Sequence, residues 1–156
     1  MTALLHTAES VANEIRRRLL TCTVAQGAET DLGLVVHHGQ ATIDVEQAPC
    51  CKLVEGDDVA ARSNSRSTDY EVEQRFAVIA YIPCTRDTPM TAAHAGARDI
   101  KRALFSTDGK PDGRIGGLVK SIEYSGKQMG FRKEGELMVL VIVEFGVTYV
   151  ENVATP

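Results

Sequence analysis

Two pairs of residues in this chain carry side chains that could bind a metal ion. His37-His38 and Cys50-Cys51 supply imidazole and thiol groups, which are the usual ligands of zinc. Both pairs fall in segments that read as short strands, and adjacent residues of a strand point to opposite faces. Neither pair therefore readily offers two ligands to one ion. The spacing favours turn histidines and small core thiols over a metal site.

A thiol and an imidazole could also form a nucleophilic pair, for instance Cys84 with His94, in a small cytosolic enzyme. Neither residue lies in a nucleophile elbow or in a known cysteine-enzyme signature. The glycines between Asp108 and Gly117 lack the lysine and hydroxyl of a phosphate-binding loop and the spacing of a dinucleotide motif. These patterns predict no catalytic residues, no cofactor and no metal site.

Composition narrows the class of partner. The chain has 156 residues and a formal net charge of −4 at pH 7, and this mild acidity gives no electrostatic reason to bind nucleic acid or an anionic membrane. No apolar run approaches the ~20 residues of a membrane span, and no secretory signal is visible. We therefore expect a protein made in the cytosol, without a membrane partner. Its four cysteines are expected to be reduced thiols.

Two long strand-like segments dominate the sequence, Asp69 to Pro83 and Glu136 to Val150. At about 3.3 Å per residue each could reach roughly 45 Å, whereas a compact chain of this length has a diameter of roughly 40 Å. The second segment carries apolar residues on both faces, with Met138, Leu140 and Ile142 on the face opposite its main apolar stripe. A neighbouring subunit is the simplest cover for that second face.

Two amphipathic helices accompany these strands. The first, Thr7 to Thr23, has one apolar stripe at helical spacing. The second begins at Thr88 with Pro89 in the first helical turn, a typical start signal. The arginines at positions 16 to 18 are interpreted as the solvated end of the first helix, where positive charge suits the helix dipole.

The segments Gly56 to Thr68 and Ser125 to Gly135 are predicted to be mobile loops because they are polar and rich in small residues. The second loop carries an apolar pair, Met129 and Phe131, among cations that include Lys127 and Arg132. An exposed apolar pair with surrounding cations is the usual composition of an interface anchor. The alternative is that Phe131 folds back onto its own sheet, and the sequence leaves both readings open.

These elements follow one another as helix, short strands, long strand, helix, strand and long strand. This order predicts a single domain over residues 1–156 of the α+β class. Its two helices would pack on one face of a mostly antiparallel or mixed sheet with two long strands. The region Gln26 to Pro49 could add a hairpin, with strands at Leu34 to His37 and Thr42 to Val45.

With this order, the chain resembles the tail terminator (tail completion, minor tail) proteins of long-tailed bacteriophages. The resemblance covers nearly the whole chain, through the segments VANEIRRRLL, PCCKLVEG, DYEVEQRFAVIAYI, TAAHAGARDIKRALF, GLVKSIEYSG and LMVLVIVEFGVTYV. It rests on the pattern of elements, without an invariant catalytic motif, and carries over no catalytic residues. The extended region from Gln26 to Pro49 departs from the typical members.

The resemblance implies a structural virion protein at the head-proximal end of the tail. Such proteins form a homo-oligomeric ring, usually a hexamer, that caps the tail tube, ends its polymerisation and joins the head. The implied partners are other copies of the chain, the tail tube protein and a head-neck connector protein, with DNA passing through the lumen without specific binding. Another head-tail connector or neck completion protein is the alternative function.

Overall fold

A computed structural model describes residues 7–39, 47–63, 68–131, 133–152 and 154. The helices are α1 (Thr7–Leu19) and α2 (Pro89–Phe105), and two short 3-10 turns lie at Val24–Gln26 and Leu32–Leu34. The strands are β1 (Val36–His38), β2 (Cys50–Ser63), β3 (Asp69–Pro83), β4 (Ser106–Thr107), β5 (Lys110–Pro111), β6 (Ser121–Phe131) and β7 (Met138–Asn152). Within these ranges no helix is long and apolar enough to cross a membrane.

Five strands form one mixed sheet in the order β1-β2-β3-β7-β6. Strands β1 and β2 run parallel, and the other neighbouring pairs are antiparallel. The long strands β3 and β7 pair along their whole length, from Asp69 opposite Asn152 to Pro83 opposite Met138. The predicted α+β fold with two long strands is confirmed.

The core lies between the two helices and one face of this sheet. Alternate residues of β3 and β7, from Val72 to Ile82 and from Val139 to Tyr149, point toward the helices and are buried. The apolar stripe of α1 is buried as its spacing predicts. Aromatic rings join the layers, because Phe145 stacks on Phe76 and meets Phe105 of α2 edge to face.

Both segments predicted as mobile loops are largely strand, so that part of the prediction is wrong. Residues Gly56 to Ser63 extend β2 and pair with β3 down to Tyr70. Residues Ser125 to Phe131 belong to β6 and pair with the apolar part of β7. The low apolar content of these segments gave no sign of strands. Their exposed parts are held by backbone hydrogen bonds, which need no buried side chain. Residues 64–67 and 132 lie outside the described residues.

The region from Gln26 to Pro49 is not seen as a hairpin in the described residues. Its one described strand is β1, which pairs in parallel with β2, and the predicted strand Thr42 to Val45 lies outside the described residues. The chain reaches β1 through the two 3-10 turns. These turns pack against the C-terminal end of α1, where Gly33 donates a hydrogen bond of 2.8 Å to the Cys22 carbonyl.

Gly33 allows this close approach, and we expect Gly33→Ala to destabilise the protein. A Cβ atom at this position would lie 2.5 Å from the Leu19 carbonyl oxygen and 2.8 Å from that of Leu20. Because both obstacles are backbone atoms, the turn must move, at a cost of about 2 kcal/mol. Denaturant unfolding checks the value. Gly113→Ala is the control, since nothing lies within 4 Å of its added Cβ, and equal losses for both variants would contradict the argument.

Candidate subunit interface

The face of the sheet opposite the helices carries an apolar patch at one end. We call Ile79, Tyr81, Met138, Leu140 and Ile142 the open-face patch. Pairing between β3 and β7 places Ile79 opposite Ile142 and Tyr81 opposite Leu140, and all five side chains are half-buried. Three of the predicted interface residues, Met138, Leu140 and Ile142, therefore lie together on a face that the helices leave open.

The same face is acidic at its other end. This end carries Glu71, Glu73 and Arg75 of β3, Glu144 of β7 and Glu123 of β6. Lys120 forms an ion pair of 3.1 Å with Glu71, so the remaining acidic groups outnumber the cations on this surface. The open face is thus divided into an apolar half, suited to a protein partner, and a charged half.

The predicted anchor residues of β6 lie on the helix side of the sheet. Met129 pairs with Val141 and Phe131 with Val139, both core positions. Met129 packs against the core, whereas the Phe131 side chain is 53% exposed and Lys127 is exposed. Met129 thus packs on its own sheet, whereas Phe131, the residue for which folding back was the alternative, keeps the exposure that an anchor needs. Arg132 lies outside the described residues.

Phe131 forms one wall of a groove of about 570 Å³, which we call the Phe131 groove. Leu137 is also 53% exposed, and the other residues lining the groove include Cys84, Arg86, Pro89, Glu134 and Glu136. The Cys84 amide donates a hydrogen bond of 3.1 Å to the Leu137 carbonyl, which ties the turn before β7 to the end of β3. Leu137 precedes Met138, so the groove adjoins the open-face patch.

The cleft between α1 and α2 is polar, and its charged groups are already engaged. Arg18 is only 6% exposed and donates to the carbonyls of Ala103 and Ser106 and to Asp112. The prediction of a solvated helix end is therefore wrong for Arg18, because the C-terminal end of α2 folds over it. Burial raises the pKa of the Cys22 thiol in this cleft to about 12, and Asp99 adds to the shift, which leaves the thiol protonated.

The chemistry considered from sequence is not assembled among the described residues. None of their hydrogen bonds joins Cys84 to His94, and His94 lies on the exposed side of α2. Their histidine, cysteine and acidic side chains include no group of three or more that could hold a metal ion. Cys51 points into the core, whereas Cys50 pairs with Tyr81 of the opposite face.

Sequence reasoning missed a second exposed apolar group, Leu20, Val24 and Leu34, which we call the turn patch. Leu34 is 66% exposed and Val24 is 57% exposed. They lie in the two 3-10 turns, and short turns have no periodicity from which a surface could be read. It also missed the buried Asp99. The sequence did carry a signal for Asp99, because a carboxylate that falls among the buried residues of α2, between Gly96 and Ile100, needs hydrogen-bond partners.

No protein-family model matches the sequence, and no curated protein matches it. Among solved structures, the fold is similar to that of a chain in the virion of a native gene transfer agent (GTA) particle. The TM-score is 0.54 at 17% sequence identity, and the match covers 92% of this chain and 98% of that chain. At this identity the likeness shows a shared fold that extends over nearly the full length of both chains.

Proposed function

We propose that this chain is a structural protein of a phage-like virion, and not an enzyme. The observation that carries the proposal is the fold shared with a chain of the GTA virion over 92% of this sequence. The open-face patch supports it, because half-buried apolar side chains on a sheet face that the two helices leave open suit assembly with other protein chains.

In its finer form the proposal is a tail terminator. Copies of the chain, most simply six, form a ring at the head-proximal end of the tail, end tube polymerisation and present a surface to the head-neck connector. The open-face patch and the adjoining Phe131 groove supply contact surfaces on both faces of the sheet, as a ring subunit that also meets the tube and the neck needs. A different connector or neck completion protein has the same requirements, and the partner that binds distinguishes the two.

DNA passes through such a ring without specific binding. Six copies at −4 each carry a formal charge of −24, and an acidic lumen repels the phosphate backbone. The acidic half of the open face, with Glu71, Glu73, Glu123 and Glu144, is the surface best suited to line that lumen. Duplex binding across a salt series tests this part of the proposal.

The function is tested by adding the purified protein to growing tail tubes of its own particle. A terminator binds one end of each tube and fixes its length, as electron microscopy would show. A neck or connector protein instead binds finished heads and leaves tube growth unchanged. Failure to bind either tubes or heads would contradict the virion assignment.

We expect Leu140→Glu to weaken binding of the ring to the tail tube or the neck while the subunit stays folded. The side chain is half-buried on the open face, so the free subunit can leave the new carboxylate in water, but a contact with a partner chain would bury it at a cost of about 2 kcal/mol. Co-sedimentation with tubes or heads and circular dichroism measure the two effects. Val59→Glu is the matched control, at an exposed apolar position far along β2. Normal binding of the Leu140→Glu protein to tubes and heads would exclude the open-face patch from these contacts.

A further inference from the structure

We infer that copies of this chain join head to tail, with the turn patch of one copy seated in the Phe131 groove of the next. This inference rests on the proposed ring and adds the two surfaces that each copy contributes to every contact. It follows from the positions of the two patches, from their charges and from the rigidity of the turns that carry Leu34.

The two patches lie at opposite edges of the sheet and at the same end of it. Phe131 of edge strand β6 pairs with Val139, which in turn pairs with Ile82 of β3. Two residues further along the strands, another row joins Ala80 to Cys51 and Cys51 to Val36 of edge strand β1. Leu34 precedes Val36 by two residues and therefore lies at the level of the Phe131 row.

This placement suits a ring. A two-fold dimer contact uses the same patch on both subunits, whereas a head-to-tail contact needs two different patches on each subunit. Patches at the same level of opposite edges displace each copy sideways along the sheet rows, with little rise along the strands. With little rise, head-to-tail contacts close into a ring when the rotation between neighbouring copies divides a full turn evenly, and they stay open when it does not.

The groove is lined by two acidic side chains, Glu134 and Glu136, and one cation, Arg86, whereas an exposed arginine lies beside the turn patch. Arg16 lies one helical turn before Leu20 on α1 and is exposed, and Glu134 is exposed at the groove. Among the described residues, neither side chain takes part in an ion pair or a side-chain hydrogen bond. Arg17, by contrast, is already paired with Glu14 at 2.6 Å. Docking Leu34 into the groove would bring Arg16 and Glu134 to the same contact, where opposite charges favour association.

The turn patch is held in one position, so that docking costs little ordering entropy. Asp99 accepts backbone hydrogen bonds from Glu29 at 3.0 Å and from Thr30 at 2.7 Å. The Val24 amide donates to the Asp31 side chain at 2.9 Å. Leu34 is therefore an exposed apolar side chain on a fixed turn, and it can bind a second copy without rearrangement of the turn.

Two single variants test the inference, Leu34→Glu and Phe131→Glu. Both positions are exposed, so both proteins should fold, as circular dichroism and thermal melting can verify. Each variant alone should be monomeric at 16.9 kDa, because each lacks one side of every contact. An equimolar mixture should form dimers and nothing larger, since one intact groove can accept one intact turn patch. Val59→Glu should assemble like the parent protein.

Several results would overturn the inference. If each variant alone still forms dimers, the patches belong to separate two-fold contacts. If both retain the parent's assembly, or if the parent is monomeric at every concentration tested, the patches do not join copies. Tube capping tests the proposed function separately. If both variants still form rings and still cap tubes, only the inferred contact is wrong. If head-to-tail rings form but tube growth is unchanged, the tail terminator function is wrong and the inferred contact is correct.

A charge exchange gives a second test that leaves both apolar patches intact. Arg16→Glu and Glu134→Arg should each weaken self-association by roughly fivefold, and the two changes together in one chain should restore it. Reversing Arg17 instead of Arg16 is the control, because Arg17 already has a partner within its own subunit. A double variant that associates no better than the weaker single variant would count against the contact between these two residues.

Discussion

Replacing Asp99 with alanine should lower the free energy of unfolding by about 4 kcal/mol, the largest loss expected from a single substitution here. Asp99 is 2% exposed and accepts hydrogen bonds from the amides of Glu29 and Thr30 and from the Thr30 hydroxyl. Hydrogen bonds to a charged acceptor contribute more than neutral ones, and buried donors left without a partner cost about 1–3 kcal/mol each. Equilibrium denaturation in urea measures the change.

Two further variants separate the role of Asp99 from that of the surface charges beside it. Asp99→Asn keeps an acceptor oxygen and should lose less than half as much. Glu29→Ala removes only the exposed ion pair with Arg98 and should change the stability little, because solvent screens exposed pairs. A loss of similar size for Glu29→Ala would mean that the side-chain pair, and not the carboxylate of Asp99, holds the turns.

The Asp99 substitution also connects stability with assembly. The turns that Asp99 anchors carry Val24 and Leu34, so their loosening should weaken ring formation more than the loss of global stability accounts for. Hydrogen exchange of the amides between Gly27 and Leu34 would show the local loosening directly. Unchanged exchange in the Asp99→Ala protein would indicate that this segment is held by other contacts.

The sequence predicted those elements whose side chains alternate between core and solvent. Strand β3 begins and ends at the predicted residues, and β7 is displaced by two residues from the predicted segment. The amphipathic helix α2 was also predicted, and its buried stripe includes Ala93, Ala97 and Leu104. These patterns are readable because burial on one face imposes a period of 2 on a strand and of 3.6 on a helix.

The sequence did not predict structure held mainly by backbone pairing or by distant polar contacts. The outer half of β2 has exposed side chains from Glu55 to Ala60, so nothing in its hydrophobic pattern marks it as a strand. The two sides of the inferred contact are similarly hidden, because Leu34 and Phe131 are 97 positions apart in sequence. Only the pairing of the strands places them at the same end of the sheet.

Arg18 gives the second large effect. Its guanidinium is held by Glu14, by Thr107 and Asp112, and by two backbone carbonyls at the end of α2. Arg18→Met should lower the free energy of unfolding by about 3 kcal/mol, because removing one partner of a buried ion pair leaves the others unsatisfied. Arg17→Met is the control. Its side chain is exposed and is paired, among the described residues, only with Glu14, so a loss of about 0.5 kcal/mol is expected.

The same network makes stability depend on pH in the acid range. The Thr107 hydroxyl, the amides of Arg114 and Gly116 and the Arg18 guanidinium hold the pKa of Asp112 well below its usual value of 3.8. Since the pKa is lower in the folded state, the unfolded chain binds the proton more readily. The stabilisation by Asp112 is therefore complete above about pH 4 and is lost progressively as the pH falls below it.

Thermal unfolding from pH 7 to pH 2 should show this decline, and Asp112→Asn should show a shallower one. Parallel curves for the two proteins would mean that other carboxylates cause the acid sensitivity.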